Sequence, residues 1–317
     1  MTASSRSHEG SAGTHGRNAI GTFHHADFPA GRLLETKGTH IISVILPARN
    51  EATTIGPIVE AIRSDLMGSD SLVDETIVID SDSHDATARV AADAGATVLG
   101  CEDIMREFGP ALGKGDVLWR SLAASKGDII VWIDSDIIDF DTRFVTGVLG
   151  PLLCDPDVQL SKGFYERPIV DEDGTLAHTG GGRVTELTAR PALALMYPEL
   201  TGIIQPLSGE YAIRREAAEQ LPFAVGYGVE VGLLIDIAAR FGAGSIAQVD
   251  LEQRIHRNRP LDELGGTAFE VLHAVMSRAG AARQLSSSFR RVNPAAAVDE
   301  LPAHVGDRPP HSSYRRG

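Results

Sequence analysis

Ile129-Ile130-Val131-Trp132-Ile133-Asp134-Ser135-Asp136 decides the reading of the chain: an unbroken apolar run, then two carboxylates around a serine. A run that is apolar at every position, not at alternate ones, predicts a strand buried on both faces, as in a parallel sheet. Its acidic end then falls at the carboxyl edge, where open α/β sheets gather ligands. Carboxylates at i and i+2 just beyond a strand can reach one hard divalent cation together with the sugar or ribose of a nucleotide bound to it. The alternative is a turn whose Asp and Ser serve local hydrogen bonding, and the motif alone does not separate the two.

The flanking segments supply the rest of the sheet. Ile41 to Leu46 is another apolar run, followed by a helical stripe of Ile55, Ile58, Val59, Ile62 and Leu66 with Pro57 tolerated in its first turns. Thr76 to Ile79 reads as a strand, followed by a helix from about Ser83 that ends at Gly95, and Ala96 to Leu99 as the next strand. A helix from about Gly115 to Lys126 stops at Gly127, just before Ile129. This alternation predicts an α/β fold with a mostly parallel sheet flanked by helices. Past residue 150 it weakens to a strand near Val158 to Phe164, a glycine-rich loop at Gly180 to Gly182, a helix after Val184, a helix over Val229 to Phe241 and a strand over Ile246 to Leu251. Residues 1–38 and 284–317 show no periodicity and read as a flexible arm and a flexible tail around one body, 39–283.

The 317 residues suffice for a sizeable core, and 29 basic against 43 acidic residues leave a formal charge of −14. That sign excludes a protein that coats nucleic acid or anionic lipid along its whole surface, so any anionic ligand needs a local basic site. Cys101 and Cys154 make neither a disulfide framework nor a four-cysteine zinc site. His8, His15, His24 and His25 are too dispersed to read as a metal site. With no apolar run of about 18 residues and no signal-peptide core, the expectation is a soluble, cytoplasmic protein without a membrane or nucleic-acid partner.

Further polar segments converge on the predicted sheet edge. Pro47-Ala48-Arg49-Asn50-Glu51 ends the first apolar run, and Asp80-Ser81-Asp82-Ser83-His84-Asp85 the next, both suited to reading a base and ribose by hydrogen bonds. Gly113-Lys114-Gly115 opens a helix and is a candidate diphosphate or uracil contact; a Walker loop does not fit, since only three residues separate Gly109 from Gly113 and Gly115 stands where Ser or Thr is required. Arg254-Ile255-His256-Arg257-Asn258-Arg259 is the densest cationic patch, an anion site or a surface charge run, with His256 also a possible metal ligand. Gly180-Gly181-Gly182-Arg183-Val184-Thr185-Glu186 fits a phosphate cradle or a hinge. Ser208-Gly209-Glu210-Tyr211 and Gly226-Tyr227-Gly228-Val229-Glu230 set carboxylates beside glycines, where a sugar can pack or an ordinary turn can form.

Over about residues 39 to 283 the chain resembles the retaining glucosyl-3-phosphoglycerate synthases of actinobacteria. The resemblance is carried by PARNE at 47–51, GKGDVLWRSLAAS at 113–125, IDSD at 133–136, GGGRVTEL at 180–187, QPLSGEY at 205–211, GYGVEVGLLID at 226–236 and HRNRPLDELG at 256–265. It implies a GT-A glycosyltransferase fold, with 39–150 binding the nucleotide sugar and 151–283 the acceptor. It implies a hexosyltransferase that uses UDP-glucose and Mg²⁺, with Mn²⁺ or Co²⁺ as substitutes, to glucosylate the 2-hydroxyl of 3-phosphoglycerate, and a homodimer. Carried over by position, Pro47, Ala48, Glu51, Ser81 and Lys114 hold the uridine part, Asp134 and Asp136 the ribose, sugar and metal, with Ser135 also in the donor site, and Leu207, Tyr227 and Glu230 line the glucose. Asp136 and His256 ligate the metal, while Gly182, Arg183, Thr185 and Asn258 hold 3-phosphoglycerate. Asp136, Glu230 and Lys114 are the implied catalytic set. Asp82 stands where many glycosyltransferases carry glycine, and Arg49 and Ala52 also depart from the common pattern, which leaves a GDP-mannose-dependent mannosyl-3-phosphoglycerate synthase, or an enzyme accepting both sugars, as the alternative.

Overall fold

Every residue of Ile129–Trp132 is buried, and successive side chains feed opposite cores: Ile129 and Val131 one, Ile130 and Trp132 the other. The computed structural model describes residues 19–68, 71–167, 169–170, 176–177, 182–255, 263–280, 285–292 and 297–314. From the amino end these form β1 (Gly21–His24), α1 (Ala30–Lys37), β2 (Ile42–Ala48), α2 (Ile55–Leu66), β3 (Glu75–Asp80), α3 (Thr87–Asp93), β4 (Thr97–Gly100), α4 (Lys114–Ala124), β5 (Ile129–Trp132) and α5 (Arg143–Cys154). There follow β6 (Leu160–Glu166), a short pair β7 (Ile169–Val170) and β8 (Leu176–Ala177), a π-helical turn (Thr185–Ala189) running into α6 (Arg190–Met196), β9 (Tyr211–Arg214), α7 (Arg215–Ala218), β10 (Phe223–Ala224), α8 (Val229–Phe241), β11 (Ile246–Gln253), α9 (Leu264–Arg278), β12 (Phe289–Val292), β13 (Val298–Leu301) and β14 (Asp307–Arg308).

The main sheet has the order β1-β11-β6-β9-β5-β2-β3-β4. All neighbours are parallel except β9, which runs antiparallel to both β5 and β6. Helices α4, α8 and α9 cover one face around Trp119 and Trp132, and α2 and α5 cover the other around Ile58 and Phe144. The result is a helix–sheet–helix sandwich whose β2, β3 and β5 present their carboxyl ends side by side. Among the described residues no helix is long and apolar enough to cross a membrane.

Several expectations need correction. Residues 19–38 are not a loose arm: β1 adds to the sheet edge with Gly21 opposite Ala247, and Leu33 is fully buried. The described parts of 285–314 are not a loose tail either. β14 pairs with β10, Arg308 forks onto Asp116 at 2.6 and 2.8 Å, and Trp119 Nε1 donates to Pro309 O at 2.9 Å. Such segments are held by edge pairing and single side chains, which leave no hydrophobic period to read. Residues 1–18 and 315–317 lie outside the described residues. The helix expected from Ser83 begins at Thr87, because Asp80 Oδ2 accepts Ser83 N at 3.3 Å and Asp85 Oδ1 accepts Thr87 N at 2.9 Å, holding the intervening residues in a turn.

At the far edge His24, His25 and Glu252 bring possible ligand atoms within 4.8 Å of one another. His24 Nδ1 accepts the amide of Ala26 at 3.2 Å, which leaves the neutral ring's proton on Nε2, the atom facing Glu252 at 3.8 Å. The trio therefore reads as a polar clasp on the irregularity in β11 between Asp250 and Gln253, where Glu252 has φ +66°.

Candidate active site

The loops after β2, β3 and β5 are tied into one floor. Ser81 N donates to Ala48 O at 2.9 Å, Ser135 Oγ to Pro47 O at 2.7 Å and Thr54 Oγ1 to Ser135 O at 2.6 Å. Asn50 N donates to Ser83 Oγ at 2.9 Å and Glu51 N to Thr87 Oγ1 at 2.8 Å. Asn50 and Asp82 both take φ +58°, so the Asp that replaces the usual glycine adopts the left-handed turn itself. Above this floor lies a cleft of about 520 Å³, the size of a small-molecule site. Its walls include Pro47, Ala48, Glu51, Ser81, Lys114, Asp134, Ser135, Asp136 and Tyr227.

Charge is packed tightly on one side. Lys114, the first residue of α4, places Nζ 2.7 Å from Asp134 Oδ1 and 2.8 Å from Glu230 Oε1. Gly115 lets α4 start there: a Cβ would lie 1.8 Å from Ala224 O. Arg254, at the end of β11, is buried among three carboxylates, with Nη1 2.9 Å from Glu210 Oε1 and 3.4 Å from Asp134 Oδ2, and Nη2 donating to Asp136 Oδ1. Tyr165 OH accepts from Arg254 at 2.7 Å and donates to Glu210 at 2.7 Å. Burial works to raise Asp134, but Lys114 and Arg254 outweigh it and hold the carboxyl below its usual range. Burial likewise works to lower Lys114, and Asp134 and Glu230 reverse it, so the ammonium stays charged well above the usual lysine range.

Several residues of this site were missed as individual sites. Arg254 was legible only as part of a basic patch, and its inward turn onto the acidic cluster follows from its place at the end of β11. Arg49 and Asp82, individually noted in the sequence as departures within the two base-reading segments, line the cleft, as does Cys101, whose thiol burial pushes up to about 11 and so keeps protonated. His304 also lines it, and no sequence signal marked it. Buried Glu270 holds that side together, accepting Tyr227 N at 2.8 Å and His304 N at 2.7 Å.

Other residues singled out in the sequence stand elsewhere. Glu230 reaches the site through Lys114 without being part of the cleft wall. Leu207, Gly182, Arg183 and Thr185 are not part of that wall; Gly182 takes φ +73° just before the π-helical turn, and Thr185 is buried in it. His256 and Asn258 lie outside the described residues.

The donor set fits a hard divalent cation. Asp136 lines the cleft with 38% of its side chain exposed, and carboxylate oxygen suits Mg²⁺ or Mn²⁺.

Comparison with known proteins agrees with this architecture. The family model described as Glycosyl transferase family 2 matches residues 43–219. The chain is 51% identical over 260 residues to a glucosyl-3-phosphoglycerate synthase of Petrotoga mobilis, covering 81% of this chain and 80% of that one. It is 52% identical over 244 residues to one from Mycolicibacterium smegmatis, covering 77% and 79%. A glucosyl-3-phosphoglycerate synthase of Mycobacterium tuberculosis, solved with Mn²⁺, UDP-glucose and phosphoglyceric acid, superposes with a TM-score of 0.83 at 45% identity, covering 93% of this chain and 99% of that one. The same enzyme solved with Mg²⁺ and UDP gives a TM-score of 0.84 at 44% identity, with the same coverage. The chain belongs to glycosyltransferase family 2 and, within it, to the glucosyl-3-phosphoglycerate synthases.

Proposed function

We propose that the protein transfers glucose from UDP-glucose to the 2-hydroxyl of 3-phosphoglycerate, giving glucosyl-3-phosphoglycerate with retention at the anomeric carbon. The observation that carries this is the Lys114–Asp134–Glu230 constellation beside Asp136, at the strand ends of a chain that is 51% identical over 260 residues to an enzyme of that name. Pro47, Ala48, Glu51, Ser81 and Lys114 take the uridine part, and Asp134 and Asp136, with Ser135, the ribose, sugar and metal side. Leu207, Tyr227 and Glu230 take the glucose. Gly182, Arg183, Thr185 and Asn258 take the acceptor, and His256 joins Asp136 as a metal ligand.

Bound Mg²⁺ or Mn²⁺ acts as a Lewis acid that offsets negative charge gathering on the departing diphosphate. Lys114 does the same from the protein, because its ammonium is fixed at the cleft by two carboxylates before any donor arrives. Glu230 is 4% exposed and paired with Lys114 at 2.8 Å, which suits it to holding the lysine and a sugar hydroxyl rather than to forming a glycosyl ester. Retention then follows from attack by the acceptor on the face that UDP leaves, its hydroxyl proton passing to the diphosphate.

The deciding experiment incubates the protein and Mg²⁺ with 3-phosphoglycerate and, separately, UDP-glucose or GDP-mannose, and identifies the product by mass and NMR. An α-linked glucosyl-3-phosphoglycerate from UDP-glucose is expected; a mannosyl product formed faster would overturn the donor assignment. A homodimer is part of the proposal, supported by Leu187 in the π-helical turn and Leu195 on α6, 73% and 83% exposed, and is read by light scattering. So is work in the cytoplasm, supported by the charged, phosphorylated nature of both substrates.

A further inference from the structure

Lys162 lies in β6 beneath the site, 2% exposed, and none of the roles above uses it. Across the sheet it is level with Gln248 of β11 and Tyr211 of β9. Its Nζ donates to Ser208 O at 2.5 Å and stands 4.3 Å from the centroid of the Tyr211 ring. Burying an ammonium is costly unless its partners repay the lost water, and here they are a carbonyl and a ring face. A methionine of similar length would fill the space without that cost, so packing alone does not account for a lysine here.

What Lys162 grips is the turn Gln205–Gly209. Ser208 Oγ donates to Gly163 O at 2.5 Å, Gly163 N to Glu210 O at 2.8 Å, and Tyr165 N to Gln205 Oε1 at 3.4 Å, so β6 clasps the turn at successive residues. The turn carries Leu207 and presses Gly209 against Asp134 so closely that a Cβ would lie 2.0 Å from Oδ2. The height of the turn above the sheet therefore sets where Leu207 stands, while Asp134 is held from its other side by Lys114 at 2.7 Å and Arg254 at 3.4 Å.

We propose that Lys162 is a positioning residue for glucosyl transfer: by holding the Ser208 carbonyl it seats the Gln205–Gly209 turn so that Leu207 meets the donor's glucose in register. This rests on the function proposed above.

The charged groups facing Lys162 are Glu230 from α8, Lys114 from α4, Glu210 at the start of β9 and Asp134 beyond β5, with the Tyr211 hydroxyl beside them. Burial pushes Lys162 down to about 7; Glu230 opposes that, Lys114 reinforces it, and Glu210 and Asp134 oppose it. In the free enzyme the cation is thus present below that pH and lost above it. Loss of charge weakens the bond to Ser208 O, since charge-assisted hydrogen bonds are roughly twice as strong as neutral ones.

The test compares wild type, Lys162→Met and Lys162→Arg in transfer kinetics from about pH 5.5 to 9.5, with UDP affinity measured by calorimetry. Wild-type kcat/KM for UDP-glucose is expected to fall above about pH 7, and Lys162→Arg to keep its rate to about pH 9. Lys162→Met should lose about tenfold or more in kcat at pH 6.5 and lack the alkaline limb, while binding UDP, which lacks the glucosyl group, within about threefold of wild type. Coincident pH profiles with kcat within about twofold would overturn the inference, as would a loss of UDP affinity matching the loss of kcat. If Lys162→Met does not fold, wild type and Lys162→Arg decide, and identical alkaline limbs overturn it. A wild type that makes no glucosyl-3-phosphoglycerate at any pH refutes the function instead, so the two failures are separable.

Discussion

Replacing Gly209 by alanine tests how tightly the turn and the acidic pair are fitted. A Cβ at 209 would sit 2.0, 2.2 and 2.3 Å from Oδ2, Cγ and Oδ1 of Asp134, about 1.5 Å inside ordinary contact. The turn has little room to retreat, since Ser208 is tied to Gly163 at 2.5 Å and to Lys162 at 2.5 Å. Asp134 must therefore yield, and a shift of that size breaks its 2.7 Å contact with Lys114, a charge-assisted bond worth about 1.5–3 kcal/mol. A displacement of about 1 Å in a site residue costs roughly a hundredfold, so kcat/KM for UDP-glucose should drop about 100-fold. The melting temperature should fall by roughly 2–5 °C. Continuous detection of released UDP gives the first quantity and differential scanning fluorimetry the second. Gly202→Ala is the control, because the nearest atom to its Cβ would be Ile20 Cδ1 at 3.7 Å and both quantities should stay near wild type. A Gly209→Ala enzyme within about threefold of wild type would refute the claim that the close approach of turn and carboxylate matters.

Other substitutions probe separate parts of the structure. Arg183→Ala should raise the KM for 3-phosphoglycerate by about tenfold or more and leave that for UDP-glucose nearly unchanged; equal acceptor KM values would remove Arg183 from the acceptor site. Lys114→Met takes the ammonium from buried Glu230 and leaves Asp134 with Arg254 at 3.4 Å, a loss of about 3 kcal/mol or more, read as a melting point lower by roughly 4–5 °C at pH 7.5. Because Asp134 is held below the usual carboxylate range, the stability its pairing supplies is present above about pH 4 and lost as pH falls through its folded value, so the gap between the two proteins should narrow in acid. A gap independent of pH would contradict that pairing. Arg308→Ala leaves fully buried Asp116 with Arg120 at 3.3 Å and should cost about 3 kcal/mol, lowering the melting point by several degrees; an unchanged melting curve would show that the carboxyl-terminal segment does not brace α4.

Much of this architecture was legible before any coordinates. The apolar run at Ile129–Ile133 specifies a strand buried on both faces, and the polar ends of β2, β3 and β5 meet as their shared position in parallel neighbours requires. Other parts leave no local trace. β9 is short and follows a tight turn, and its antiparallel insertion between β5 and β6 is settled by pairing partners far along the chain. β1 and β14 are held by edges built from distant segments, so periodicity cannot announce them. Arg254 looked like one cation of a surface-facing patch, but the end of β11 turns it onto Glu210, Asp134 and Asp136. The acceptor's identity came from resemblance alone, since Arg183 and Thr185 stand away from the cleft wall and no pattern of charges there spells out a phosphoglycerate.

The strand order also governs how the molecule can be made. β5, β2, β3 and β4 come from one stretch of chain, residues 42–132, and can pair as soon as that stretch is synthesised. β1 has to wait: Thr22 and Gln248 are 226 positions apart, which at about 5–20 residues per second is roughly 10–45 s of translation. During that interval the earliest strand has no edge to join. The nucleotide half of the sheet is then in place while the other half is still emerging, and closure of the edge by β1 is a late event that reports completion of the whole sheet.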